Sequence, residues 1–253
     1  MVEEEGLPLS GGFAIGFVGG IGPGATVHYY ERLTAAFIER GATPRFIISH
    51  ADIKHVLACM TENAFDDLAE YLAGHIQNLE RAGAGFAAIG AVTPHICAAR
   101  LQARITLPFL ALIDCVCAEL QGRNVRRIAV LGTRWVMESA MYGRLSEFEV
   151  VTLPPDALDF VHVNYMKIAA AGSIAGSGAN IDGLRKITQS LVGRQGVETI
   201  VLAGTELSLV FDETNCGFPA LDCARAHIDA ILKRAFGQVA MADRKSTRLN
   251  SSH

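Results

Sequence analysis

Phe86-Ala-Ala-Ile-Gly-Ala-Val-Thr-Pro-His95 is an apolar run of strand length that ends in small and hydroxyl residues. Glu198-Thr-Ile-Val-Leu-Ala-Gly-Thr-Glu206 repeats the pattern in the second half of the chain. In an open α/β sheet, ligands bind just beyond the carboxyl ends of the strands. Two such strand ends therefore mark two sides of one candidate site. Each is preceded at the same distance by a strand, a glycine turn and a helix start. Gly16-Phe-Val-Gly-Gly-Ile-Gly-Pro-Gly-Ala-Thr26 opens the first half, and Ala129-Val-Leu-Gly-Thr-Arg-Trp-Val-Met-Glu138 opens the second. The interval from Gly19 to Ala91 is 72 residues, and so is that from Gly132 to Gly204. Equal spacing implies two copies of one α/β unit, with a cleft that receives one strand end from each.

The rest of the chain fits this repeat. Strand-like runs fall at 14–18, 45–49, 86–90, 108–112, 127–131, 149–153, 199–203 and 218–221, separated by segments of helical period such as 65–81 and 136–145. Regular βα alternation predicts parallel sheets with helices on both faces. The expected fold is α/β: two similar parallel-sheet domains related by a pseudo-twofold axis, with the active-site cleft between them. Residues 1–116 with a returning C-terminal helix at 223–242 would form the first domain, and 117–222 the second. Asp243-Arg-Lys-Ser-Thr-Arg-Leu-Asn-Ser-Ser-His253 reads as a translated sequencing adapter, is polar, lacks an apolar stripe, and is set apart from the fold.

Composition narrows the class. The chain has 253 residues, half of them hydrophobic, and a net charge of −4 from 22 basic and 26 acidic side chains. No basic cluster marks a nucleic-acid surface, and no apolar run approaches the ~18 residues that span a bilayer. The acidic start, Met1-Val-Glu-Glu-Glu-Gly6, lacks the basic region of a signal peptide. A cytoplasmic enzyme with no nucleic-acid and no membrane partner is the expectation. Six cysteines, Cys59, Cys97, Cys115, Cys117, Cys216 and Cys223, form neither a CxxC pair nor a zinc spacing, so no metal site is expected.

The glycine-rich opening has neither the GxGxxG spacing of a dinucleotide fold nor the lysine of a phosphate-binding loop. Its backbone N–H groups are instead suited to face a carboxylate at a helix N-terminus, which makes Gly20, Gly22 and Thr26 candidates for substrate binding. Thr93 is a candidate site hydroxyl or a helix cap ahead of Pro94, and His95 falls in the first turn. Thr205 and Glu206 follow the second motif strand, where Glu206 is either a proton-handling group or a complement to a helix dipole. His50 and His55 flank Asp52 after the second strand, and His162 precedes Tyr165-Met-Lys167. Thr133, after the second glycine turn, completes the candidates.

The two motifs resemble signatures of the aspartate/glutamate racemase superfamily, which has Cys-Asn-Thr-x-His in the first half and Gly-Cys-Thr-Glu in the second. The resemblance covers nearly all of residues 13–235. It includes the glycine opening, Arg127-Ile-Ala-Val-Leu-Gly-Thr-Arg-Trp-Val-Met-Glu138 with Tyr142, Val201-Leu-Ala-Gly-Thr-Glu-Leu207 and Phe218-Pro-Ala-Leu-Asp222. It implies a homodimer with no cofactor that acts on a small carboxylic-acid or amino-acid substrate. The family mechanism it implies uses two cysteines on opposite faces of the substrate carbon. Here those positions hold Ala91 and Gly204, and Val92 replaces the asparagine. Neither can exchange a proton through its side chain, and general acid–base catalysis needs a titratable group within hydrogen-bond reach.

The leading expectation is therefore an amino-acid-type isomerase that moves a proton at the α-carbon with non-cysteine groups. His95, Glu206, Thr93 and Thr205 are the candidate catalytic residues. A maleate-isomerase-like or decarboxylase-like reaction, or carboxylate binding without catalysis, are the alternatives. Cys216, in a loop after the second motif, is the best-placed stand-in thiol, ahead of Cys59 and Cys97. Lys54 and Lys167 are the nearest candidate cations for a distal carboxylate.

Overall fold

The computed structural model describes residues 14–173, 175, 177–211, 213, 214 and 216–250, with no account of side chains from 238 onward. The acidic start lies outside the described residues. Two four-stranded parallel sheets form the frame, in the orders β2-β1-β3-β4 and β6-β5-β7-β8. The first comprises β1 (Ala14–Gly19), β2 (Phe46–His50), β3 (Ala84–Ile89) and β4 (Phe109–Leu110); the second comprises β5 (Arg127–Gly132), β6 (Glu149–Val151), β7 (Thr199–Ala203) and β8 (Ala220–Asp222). The two orders correspond strand for strand, so the sequence repeat is a repeat of topology.

Side chains alternate across each sheet, as the two-residue period of a strand requires. In the first sheet, Ile15, Phe17, Phe86 and Ala88 face α1 (Pro23–Ile38) and α9 (Cys223–Asn250). Val18, Ala87 and Ile89 face α2 (Ile53–Glu62) and α3 (Phe65–Arg81) on the other side. In the second sheet, Ala129, Leu131, Ile200 and Leu202 pack on α7 (Pro155–Ala171) and α8 (Ile181–Gln195). Its opposite face, with Ile128, Val130, Val201 and Ala203, packs on α5 (Leu112–Gly122). Between β3 and β4 lie a 3₁₀ turn, Thr93–Cys97, and α4 (Ala98–Gln102); a second 3₁₀ turn, Thr205–Leu209, follows β7.

The helices after the fourth strands change partners. α5 leaves the first sheet and covers the second, whereas α9 leaves the second and covers the first. The expected boundary between residues 116 and 117 falls inside α5. α9 runs to Asn250, so the backbone of 243–250, set apart in the sequence reading, is helical, and 251–253 lie outside the described residues.

Several elements differ from expectation; the strand expected at 149–153, for one, ends at Val151. The strand expected at 108–112 is only Phe109–Leu110, because Ala111 is the N-cap of α5, which begins at Leu112. The helix expected over 136–145 is α6 (Arg134–Glu138), which stops after five residues. Ser139 ends it by donating its hydroxyl to the Trp135 carbonyl at 2.5 Å and accepting the Tyr142 N–H at 2.9 Å. Ala140, Met141 and Tyr142 then take positive φ, which carries the Tyr142 hydroxyl to the Thr93 carbonyl of the other half at 3.0 Å. The strand expected at 218–221 is shifted to Ala220–Asp222.

Ile231 of α9 is fully buried against the first sheet. Its truncation leaves a cavity at the junction of the halves. Ile231→Ala should lower unfolding free energy by about 2–5 kcal/mol, read as a lower urea midpoint.

Candidate active site at the seam of the two halves

The turns and strand ends meet in crossed pairs. The turn of the first half contacts the motif of the second: Glu206 Oε1 lies directly against Gly22, leaving no space for a side chain there. The turn of the second half contacts the motif of the first: the Thr133 and Thr93 hydroxyl oxygens are 3.4 Å apart. Glu206 and Thr93 occupy equivalent positions, each two residues past its family cysteine position. This reciprocity is what a pseudo-twofold arrangement produces.

Around these pairs is a small cavity of about 30 Å³, room for about two water molecules. The first half contributes Ile21, Ala91, Val92 and Thr93, with Ile53, Val56 and Leu57 of α2 as an apolar wall; the second contributes Thr133 and Glu206, with Tyr165, Met166 and Ala169 of α7. No lysine, arginine or histidine is among these lining residues. Lys54 is exposed, and the exposed Lys167 ammonium donates to the Gly178 carbonyl at 3.4 Å. A larger cavity of about 290 Å³ opens between α1 and α9, lined by His28, Arg32, Glu213, Asp222 and Arg225 among others. It contains none of the candidate catalytic residues, and its Arg225 is paired with Glu213, Glu119 and Asp229.

Glu206 is 2% exposed. Its Oε2 accepts from the Tyr165 hydroxyl, and Thr205 Oγ1 lies 3.2 Å away. Burial raises the Glu206 pKa above the usual carboxyl value, opposed by the Tyr165, backbone and Thr205 hydrogen bonds. Burial also raises Tyr165 well above an ordinary phenol, and the neighbouring Glu206 adds to it. Thr205 sits behind the carboxyl and also bonds the Gly90 carbonyl at 3.3 Å, which ties the two motif strands together.

His95 does not join this group. Its Nε2 accepts the Leu112 N–H at 3.0 Å, and Nδ1 lies 2.8 Å from the Ala91 carbonyl. A backbone N–H on Nε2 requires the proton on Nδ1, which donates to Ala91. Both nitrogens are committed, Phe109 stacks on the ring at 5.7 Å, and burial lowers the pKa to about 4. His95 thus caps the first free N–H of α5 and is not a free acid or base. His162 serves α6 in the same way, accepting the Arg134 N–H on Nδ1 at 3.2 Å.

The remaining candidates separate by role. Thr26 braces the glycine turn: its oxygen accepts the Gly20 N–H at 3.0 Å and its hydroxyl donates to the Gly22 carbonyl at 2.9 Å. Gly20 has φ +86, a left-handed conformation in which glycine avoids the Cβ clash, and His50 packs against it, exposed and outside the cavity. His55 stacks on Tyr71 at the surface, 4.2 Å between centroids. Thr93 is not the cap of its turn; Val92 holds that position, and Thr93 faces Thr133. Cys216 does not reach the cavity: it is buried and directs its thiol to the Phe218 carbonyl at 3.0 Å. Cys97 donates to the Pro94 carbonyl at 3.1 Å, and burial pushes it up to about 11. Cys59 lies in the α2/α3 core.

Tyr165 is the site residue that the motifs did not reveal. It reaches the cavity from α7, far from either motif in sequence. Gly204 carries its trace: a residue too small for the expected side chain indicates a large neighbour.

A seam built on crossed strand ends of two parallel α/β units defines the class of protein, and the comparisons define the family. The family model for Asp/Glu/hydantoin racemase matches residues 18–231, and the chain belongs to that family. Among solved structures, it is similar to a candidate Asp/Glu racemase from Yersinia pestis, with 24% identity, a TM-score of 0.76 and coverage of 88% of this chain and 99% of that one. An aspartate racemase homologue from Pyrococcus horikoshii has 24% identity, a TM-score of 0.72 and coverage of 88% and 99%. The aspartate racemase of Picrophilus torridus has 23% identity, a TM-score of 0.69 and coverage of 88% and 94%. These likenesses establish the shared fold. Among the described residues, no helix is long and apolar enough to cross a membrane.

The role of His95 has a measurable sign. Its pKa is about 4 in the folded chain against an ordinary value of about 6.5 unfolded. The stability it contributes is complete above the unfolded value and is lost as pH falls toward 4, on the order of 3 kcal/mol. His95→Gln should flatten that acid limb in denaturant titrations at pH 7, 5.5 and 4. An unchanged limb would show that His95 is not held neutral.

Proposed function

We propose that this chain is a cofactor-independent isomerase of racemase type that moves a proton at the carbon next to a carboxyl group, with Glu206 as the acid–base group. The observation that carries this reading is a buried carboxyl, raised in pKa by its surroundings, at the carboxyl end of β7 where both halves meet. Such tuning brings a carboxyl closer to the range in which it can both take and return a proton near neutral pH. The racemase-family fold supports the same chemistry.

The lining residues favour a small acid with an apolar substituent. A dicarboxylate such as aspartate or glutamate carries a second charge, and a buried charge is costly without a partner. The described lining contains no cationic side chain to receive it, whereas Ile53, Val56 and Leu57 present an apolar surface. A second reading, a decarboxylase-like reaction, is favoured by the absence of a titratable side chain at Ala91: protonation after loss of carbon dioxide needs a proton donor on only one face.

Proton NMR of small carboxylic acids incubated with the full chain in deuterated water tests the proposal. Deuterium should enter the α-carbon of at least one apolar-substituted acid, and Glu206→Gln should slow entry by about a hundredfold or more. Loss of carbon dioxide would favour the second reading; absence of both would leave a carboxylate-binding protein. Because the base must be ionised, the rate should rise with pH through a value above the ordinary carboxyl pKa. The sign for stability is opposite: a raised folded pKa means stability is lost as pH rises through it. Glu206→Gln should therefore be more stable than the parent on the alkaline side, measured by thermal unfolding.

A further inference from the structure

Gly204 and Tyr165 share one space. A Cβ built on Gly204 would stand 2.9 Å from Tyr165 Cζ, 3.0 Å from Cδ2 and nearer still to Cε2. No side chain fits at position 204 while the ring is present. The ring is 7% exposed, and its hydroxyl reaches past position 204 to donate to Glu206. Tyr165 and Glu206 line the cavity on the wall of the second half. The facing wall has Ala91, Val92 and Thr93, and His95 behind it is bound to Ala91 and Leu112. All the titratable side chains among the described lining residues are therefore on one wall.

We propose that Tyr165 occupies the reacting face left open by the absence of a side chain at 204, and that with Glu206 it forms a proton relay serving one face of the substrate carbon. This rests on the proton-transfer reading above. In the forward direction the substrate C–H bond breaks, and its electron pair passes into the carboxyl group to give an enediolate. The carbon-bound proton goes to the phenolic oxygen as the phenolic proton goes to the Glu206 carboxylate. The return transfer runs the same bonds backwards, and nothing is oxidised or reduced. The neutral phenol is not itself the base; the carboxylate is, and Tyr165 spans the gap. With no proton donor at Ala91, the proton carried by the relay returns to the face it left. Exchange with solvent therefore proceeds mainly with retention, and the inversion that racemase-type turnover requires is the slower event, its proton taken from water on the Ala91 face.

The test uses the full chain and one enantiomer of an acid that takes up deuterium. Chiral chromatography and mass spectrometry should show labelled substrate accumulating faster than its mirror image by about a hundredfold or more. Tyr165→Phe keeps the ring in the Gly204 space and removes the relay, so exchange should fall by about 10²–10⁴-fold with the thermal midpoint within a few degrees of the parent. Inversion as fast as exchange, or unchanged exchange in Tyr165→Phe, would overturn the relay while leaving the proton-transfer reading intact. Absence of exchange in the parent chain with every acid would overturn both. A folding measurement tests the shared space separately. Gly204→Cys should lower the thermal midpoint, and adding Tyr165→Ala should recover part of the loss. A Gly204→Cys variant as stable as the parent would sink the proposal.

Discussion

A carboxyl group removed from water without a cation beside it is expensive to ionise, and the seam of this protein is arranged around one. Glu206 is sheltered by Gly22 on one side, by the Tyr165 ring and hydroxyl on another, and by Thr205 behind. Each neighbour is constrained in turn. Position 22 has no space for a side chain because the carboxyl oxygen lies there, and position 204 has none because the tyrosine ring does. The small residues of the motifs thus have steric causes. The chemistry and the packing of the seam are the same set of contacts.

The wider fold holds that seam closed by exchange. α5 and α9 each follow the fourth strand of one sheet and pack on the other. His95 caps α5 from the end of the first motif, and Asp222 accepts the Ala224 N–H at 2.8 Å where α9 begins. A second buried histidine, His227 of α9, lies 3.0 Å from the Tyr29 hydroxyl and 3.1 Å from the Leu110 carbonyl. Since the carbonyl can only accept, Nε2 carries the proton and Nδ1 accepts from Tyr29. These neutral imidazoles pin α5 to the end of the first motif and α9 to β4 and α1.

The fold was largely legible because its signals are local and periodic. The run at 199–203 and the helix at 65–81 coincide with the observed elements, and the 72-residue repeat corresponds to strands in equivalent sheet positions. The strand ends Ala91, Thr93 and Glu206 were legible as cavity positions for the same reason, with Thr133 after the second glycine turn. The histidines were misleading: a histidine near a strand end and one capping a helix look alike in sequence, and only the Leu112 and Arg134 N–H partners distinguish them. Tyr165 was beyond reach because its place depends on how α7 crosses the end of β7, a tertiary property with no local signature.

The size of the cavity has a kinetic meaning. At about 30 Å³, it holds less than any amino acid, and its lining includes Thr93 and Thr133, whose hydroxyls approach across the halves. A ligand of amino-acid size can be seated only after the lining side chains move. Capture is then set by how often that movement occurs rather than by how often molecules collide with the site. Weak binders are further disadvantaged, since part of their binding free energy is spent on holding the widened site. A fragment screen against the resting protein would therefore under-report the ligands that its working form accepts.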